Sequence, residues 1–240
     1  MHADLAQLLE LQAKDGAVAR VEQLLGEVGA EVNTLDQALA KVQEGLEAAR
    51  RSAAEGARRR DELEARIETF RVLEERRRLR LEHVRNPKEA AALMAELDLA
   101  RSVMAKEETD WVRSAETANE LEARVGEAER GVVTFEEGQG PERSRLAERR
   151  AELETRLDAA LADREATAAR MDRQLRTRYE RLRRSRDADV VVPLVNGGCG
   201  ACHTAVPLNR RTQIRSGGVM DGCEACGAIL YPPELAGSSE

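Results

Sequence analysis

Large rings are almost missing from this sequence: its 240 residues include one Trp, two Tyr and two Phe. Rings fill the centres of ordinary globular cores, so a single spherical core is excluded. Long apolar runs are missing as well. The longest, Val190-Val191-Val192-Pro193-Leu194-Val195, falls far short of the roughly 20 residues that cross a bilayer, which predicts no transmembrane helix. The start of the chain carries Asp4, Glu10 and Lys14 and lacks the basic-then-apolar plan of an export signal, so the expected location is the cytoplasm. There is no excess of positive charge, with 38 Lys and Arg against 45 Asp and Glu. Strong non-specific DNA binding by the whole molecule is therefore not expected, and nucleic-acid contact requires a local patch. A Walker phosphate loop, a dinucleotide-binding glycine pattern and an HExxH motif are all lacking, and His2 and His83 have no nucleophile that spacing identifies. The chain reads as a non-enzyme that takes no small-molecule substrate.

Ala, Leu, Glu and Arg dominate instead, the signature of long helices whose apolar stripe meets another helix. From Val21 the pattern runs Leu25, Val28, Val32, Leu35, Leu39, Val42 and Leu46, and it continues to Leu63, Ile67 and Phe70 in steps of three and four. Such a heptad seam predicts a left-handed supercoil with a partner helix. One helix is expected over most of residues 3 to 84. Asn86-Pro87-Lys88-Glu89 then supplies a cap, a first-turn proline and a capping-box spacing, so a second helix starts there. Its seam reads Leu93, Leu97, Ala100, Met104, Trp111, Ala118, Leu121, Val125 and Val132, with Trp111 taken as packing. The short connection folds it back along the first helix, as an antiparallel hairpin roughly 120 Å long with its tip near 85–88.

Gly131 and Gly138-Gln139-Gly140-Pro141 interrupt this pattern before Leu146, Leu153 and Leu157 resume it. Glycine and proline at this density predict a break near 131–141 and a return strand in two pieces, 87 to 131 and 142 to 186. The fold class is thus mainly α: a coiled-coil hairpin over residues 1–187, followed by a small β domain over 188–240. About 50 residues with few apolar side chains need a staple to fold.

Cysteine supplies it. The four cysteines are Cys199-Gly-Ala-Cys202 and Cys223-Glu-Ala-Cys226, and two such pairs in a chain without an export signal read as a tetrahedral Cys₄ site before disulfides. Zinc is the natural occupant, although thiolates alone do not exclude iron. One structural ion per chain is expected, because all four positions are consumed. His203 is assigned to the site's surroundings rather than to its ligands.

The stretch Cys199-Gly-Ala-Cys-His-Thr-Ala-Val-Pro207, with Ile214, Gly217-Gly218 and Cys223-Glu-Ala-Cys-Gly-Ala-Ile-Leu-Tyr231, resembles the bacterial C4-type zinc-ribbon proteins in which a long coiled-coil hairpin precedes the ribbon. Asn86-Pro-Lys-Glu-Ala-Ala-Ala-Leu93 and Tyr179-Glu-Arg-Leu182 are similar to that family's helical turn and its approach to the ribbon. The family includes flagellar-biogenesis adaptors that bind the sigma factor σ54. The resemblance therefore implies a regulatory adaptor with a protein partner, such as a sigma factor or a secretion or flagellar component.

Arginine crowds the approach to the ribbon, with Arg173, Arg176, Arg178, Arg181, Arg183, Arg184 and Arg186, and Arg210, Arg211 and Arg215 lie between the cysteine pairs. If the ribbon folds back, Arg176, Arg183, Arg184, Arg210, Arg211 and Arg215 form one basic face. That face would meet an acidic protein, or RNA or DNA through phosphates with Tyr179 stacking on a base. Ile229-Leu230-Tyr231 is expected to form the last strand, with an exposed edge and Tyr231 as an apolar anchor for a partner. The leading reading is a protein-binding adaptor, and the alternative is an RNA-binding regulator.

Overall fold

The computed structural model describes residues 3–186, 189–216 and 220–232. It is a helical hairpin followed by a small ribbon. Helix α1 spans Ala3–His83 and α2 spans Pro87–Ala169. Seam residues Val21, Val28, Leu63, Ile67, Leu93, Leu97, Ala100 and Ala118 are buried. At the start of α2 the Asn86 side chain accepts from Lys88 N–H at 3.0 Å and the Asn86 carbonyl from Ala90 N–H at 2.9 Å. Glu89 does not close the capping box but accepts from Arg80 at 2.8 Å.

The expected break at 131–141 is overturned, since α2 runs through Pro141 without interruption. The reason is phase. Val132, Gln139, Leu146 and Leu153 follow one another at heptad spacing, and the last three are buried, so the seam keeps its register across the Gly/Pro stretch. Gln139 holds the seam position by donating to the Leu35 carbonyl at 3.0 Å. The second piece does not reach 186 either: α2 ends at Ala169, and a short helix α3 follows over Arg173–Arg184. Asp172 starts α3, its carboxylate accepting from Gln174 and Leu175 N–H at 2.8 and 3.1 Å, as an N-cap does.

Contacts group the chain into two compact units, one of Met1–Ala30 with Arg145–Glu240 and the other of Glu31–Ser144. In the second unit the helices are antiparallel, with Asp36 on Arg143 at 2.6 Å, Arg50 on Glu129 at 2.8 Å and Glu74 on Arg101 at 2.7 Å. In the first unit Glu10 meets Arg170 at 2.8 Å and Lys14 meets Asp163 at 2.6 Å. This first unit also contains α3 and the ribbon, so the ribbon shares a core with the hairpin base.

The ribbon has strands β1 (Val191–Val195), β2 (Gly198–Cys199), β3 (Asp221–Gly222) and β4 (Ile229–Tyr231), with helix α4 (Leu208–Arg215) between β2 and β3. Their order in the sheet is β2-β1-β4-β3. β1 and β2 are joined by Asn196-Gly197, with φ 50° and 77°, the left-handed pair that a tight hairpin requires. β1 and β4 are parallel and central. Side chains alternate along them: Val191, Ile229 and Tyr231 join Leu5, Leu8, Leu11 and Tyr179 in one core, while Val192, Leu194 and Leu230 join Val206, Ile214 and Cys199 in another. The uninterrupted Val190–Val195 run is thereby explained, because both faces are covered. Among the described residues no helix is long and apolar enough to cross a membrane.

Candidate metal centre

Each cysteine pair sits on a turn of the same construction. The N–H of Cys199 donates to the Thr204 carbonyl at 3.0 Å, and that of Cys223 to the Ala228 carbonyl at 2.8 Å. The first cysteine's carbonyl in each pair accepts from the residue after the second cysteine, His203 at 2.9 Å and Gly227 at 2.8 Å. Both closing residues are left-handed, with φ 58° and 75°. Glycine adopts this freely, whereas His203 does so at some steric cost. The His203 side chain is exposed, and the cluster of potential ligand atoms consists of the four cysteine sulfurs.

The two turns bring all four sulfurs within 4.8 Å of one another. Cys199 Sγ lies 3.7 Å from Cys226 Sγ and Cys202 Sγ lies 3.6 Å from Cys223 Sγ. A disulfide would need about 2.05 Å. A tetrahedral ion with metal–sulfur bonds of about 2.3 Å puts its ligands about 3.8 Å apart, so the residues present fit a zinc ion.

The four thiols differ in environment. Burial pushes Cys199 up to about 11. Cys202, exposed, is drawn down to about 6 by hydrogen bonding to the Thr204 hydroxyl, 3.3 Å away, and to its backbone. For Cys226 burial opposes ionisation, but the Arg186 guanidinium and the Ala228 backbone outweigh it and lower the value. Arg186 also donates to the Cys226 carbonyl. A cation there suits a tetrathiolate, which keeps net negative charge after binding a divalent ion.

The basic face divides differently from the sequence expectation. Arg176 pairs with Glu165 at 2.8 Å and Arg183 with Asp15 at 3.1 Å. Arg210 is held by Asp221 and Glu224, and Arg211 donates to the Val206 carbonyl. Each of these four thus has a partner within the fold. Arg184 and Arg215 remain exposed. The idea of an exposed edge at Ile229-Leu230-Tyr231 is overturned: β4 lies between β1 and β3, and all three residues are buried. Tyr179 is 1% exposed and donates to Asp15 at 2.7 Å, so it offers no face to a base.

Sequence reasoning missed the acidic hub that organises α3. Asp15, with side-chain exposure of 11%, binds Tyr179, Arg183 and Arg164, the last at 3.0 Å, and Arg164 also meets Glu180. The sequence signal for it is the position of Asp15 among the apolar residues Leu8, Leu11 and Val18 at the start of α1.

No family model matches the chain, and no curated protein matches it. Three solved structures share its fold over nearly the whole length. They are CT398 from Chlamydia trachomatis (20% identity, 97% of this chain and 98% of that one, TM-score 0.83), HP0958 from Helicobacter pylori (15%, 96% and 98%, 0.67) and a protein from Mycobacterium smegmatis (22%, 96% and 97%, 0.67).

Proposed function

We propose that the chain is a non-enzymatic zinc-ribbon adaptor, in which one structural zinc holds the ribbon and α3 presents arginines to an acidic surface of a protein partner in transcription or in secretion and motility machinery. The observation that carries this reading is the outer face of α3. Arg173, Arg181 and Arg184, with Thr177 between them, recur at steps of four and three and are exposed. Among the described residues none pairs with these three arginines, while their neighbours Arg176 and Arg183 are neutralised. The opposite face is pinned by buried Tyr179 with Leu175 and Leu182, so the stripe is rigid, which lowers the entropic cost of binding. A closed Cys₄ set leaves no coordination position for substrate, which supports a structural ion. The burial of Tyr179 and Tyr231 weighs against RNA, since base stacking on this face would need an exposed ring.

The test places a photo-crosslinking residue at Thr177 in the zinc-loaded full chain in its native cells. The expected product is one nuclease-resistant protein adduct, lost when Arg173, Arg181 and Arg184 are all changed to Glu. An RNA adduct, or a protein adduct indifferent to the charge reversal, overturns the proposal.

A further inference from the structure

Between α1 and α2 in the unit of residues 31–144 runs a groove of about 690 Å³. Its floor is apolar: Ile67 is buried, Trp111 lies half-buried along one wall, and Val112 beside it is 48% exposed. Its rim is acidic, with Asp61, Glu64, Glu68 and Glu108. The only base lining it, Arg71, is shared between Glu68 at 3.9 Å and Glu108 at 3.4 Å, and Asp61 is taken by Arg60 at 2.8 Å. Arg71 offsets one charge of the Glu68–Glu108 pair and no described residue pairs with Glu64, so Glu64 and Glu68, one turn apart on α1, carry net negative charge into the groove.

We infer that this groove docks a cationic amphipathic helix of a partner protein. A helix laid along it would place an apolar side chain on Trp111 and Val112, and Lys or Arg one turn apart against Glu64 and Glu68. A cation reaching the exposed part of the indole gains a further attraction from the ring face. Charge selects this occupant over others. A second copy meeting groove to groove, a nucleic-acid backbone and an anionic membrane would each bring like charge to the rim, and a second copy approaching by its α3 arginines is an outcome that reversal of Arg173, Arg181 and Arg184 separates. The inference deepens the adaptor reading and rests on it, yet it uses none of the α3 arginines.

Trp111 is the sole tryptophan, so its emission reports on the groove. The probe is a synthetic amphipathic helix of Leu and Lys without tryptophan, titrated into the zinc-loaded full chain, with a Leu/Glu helix as the opposite charge control. A saturable change in Trp111 emission is expected with the Leu/Lys helix and none with the Leu/Glu helix. The paired change Glu64→Lys and Glu68→Lys should weaken binding about tenfold or more, the loss of two close charge pairs, and Val112→Asp should do the same. Glu148→Lys with Glu152→Lys alters net charge equally outside the groove and should leave binding within about twofold. Circular dichroism of each variant verifies its helices. No emission change, or equal weakening by the two paired reversals, overturns the inference. Reversal of Arg173, Arg181 and Arg184 should leave this titration intact. A lost α3 adduct with groove binding retained therefore counts against the adaptor reading alone, and the converse counts against the groove alone.

Discussion

Gln12 of α1 and Val191 of β1 satisfy each other twice: the Val191 N–H donates to Gln12 Oε1 at 2.7 Å, and Gln12 Nε2 donates to the Val191 carbonyl at 2.9 Å. β2 pairs only with Leu194 and Val195, so the start of β1 lacks a neighbouring strand on that side. The glutamine amide takes the strand's place, and Val191 is 1% exposed, so water does not serve instead. Gln12→Ala would leave two buried backbone groups unpaired. We expect it to lower stability by about 1–3 kcal/mol, read as a shifted urea midpoint, with accelerated amide exchange at Val191. Unchanged exchange there would remove Gln12 as the tie between helix and ribbon.

Much of this fold was legible in the sequence because its signals are local or periodic. The seam through Val21, Val28, Leu63 and Ile67, the cap at Asn86 and the two cysteine pairs each depend on neighbours a few residues away. What was not legible depends on distant partners. Arg183 and Arg210 read as free cations until Asp15 and Asp221 were placed beside them, and Arg164 lies 149 residues from the Asp15 it binds. Tyr231 read as an edge anchor because sequence order does not disclose that β4 is central. At Pro141 a strong local breaker masks the seam's phase, and at Asp172 a real helix start is hidden by leucines that continue the pattern.

Four thiols placed to share one ion predict a ribbon whose fold depends on that ion. Reduced, tag-free protein is expected to carry one zinc per chain by elemental analysis. Cys226→Ser should lose that zinc and unfold the ribbon, while most helical circular dichroism persists, since structural zinc contributes directly to the folding of small domains. Full metal retention in this variant would show that the four sulfurs do not act as one site.

Tyr179 links stability to alkaline pH. Burial, and then the neighbouring Asp15 carboxylate, raise its phenol above the ordinary value. A group whose folded value is raised contributes stability fully below its unfolded value of about 10, and that contribution is lost as pH rises toward the folded value. The protein should therefore weaken above about pH 10, and Tyr179→Phe should flatten that part of the profile while costing about 1 kcal/mol at neutral pH. Urea midpoints at pH 8 and above check this; parallel profiles for the two proteins would contradict it.

Gly200 lies where no side chain fits. A Cβ there would stand 2.6 Å from the Pro193 carbonyl oxygen, the same oxygen that accepts the Gly200 N–H at 2.9 Å. Gly200→Ala must push the first cysteine turn away from β1 and break that bond. An expected loss of about 1–3 kcal/mol in ribbon stability follows, accompanied by faster zinc transfer to a chelator. Wild-type transfer kinetics would mean the turn shifts without moving its sulfurs.

Pro141 tests whether α2 is continuous by virtue of its seam or in spite of some built-in break. Proline inside a helix removes one backbone hydrogen bond and crowds the preceding turn, at about 3 kcal/mol. It also stiffens the unfolded chain, which returns roughly 0.4–1 kcal/mol. Pro141 is exposed, so replacing it forfeits little packing, and Pro141→Ala should raise stability by about 2 kcal/mol. Gln139→Ala should do the opposite, since Gln139 is 7% exposed at the seam, donates to the Leu35 carbonyl and accepts from Arg143 at 3.1 Å. The two variants separate the explanations through thermal unfolding of the full chain. Stabilisation by Pro141→Ala with destabilisation by Gln139→Ala means heptad contact overrides a local breaker. A Pro141→Ala variant that unfolds earlier than wild type would mean that the proline is needed where it stands and that seam phase does not hold this helix together.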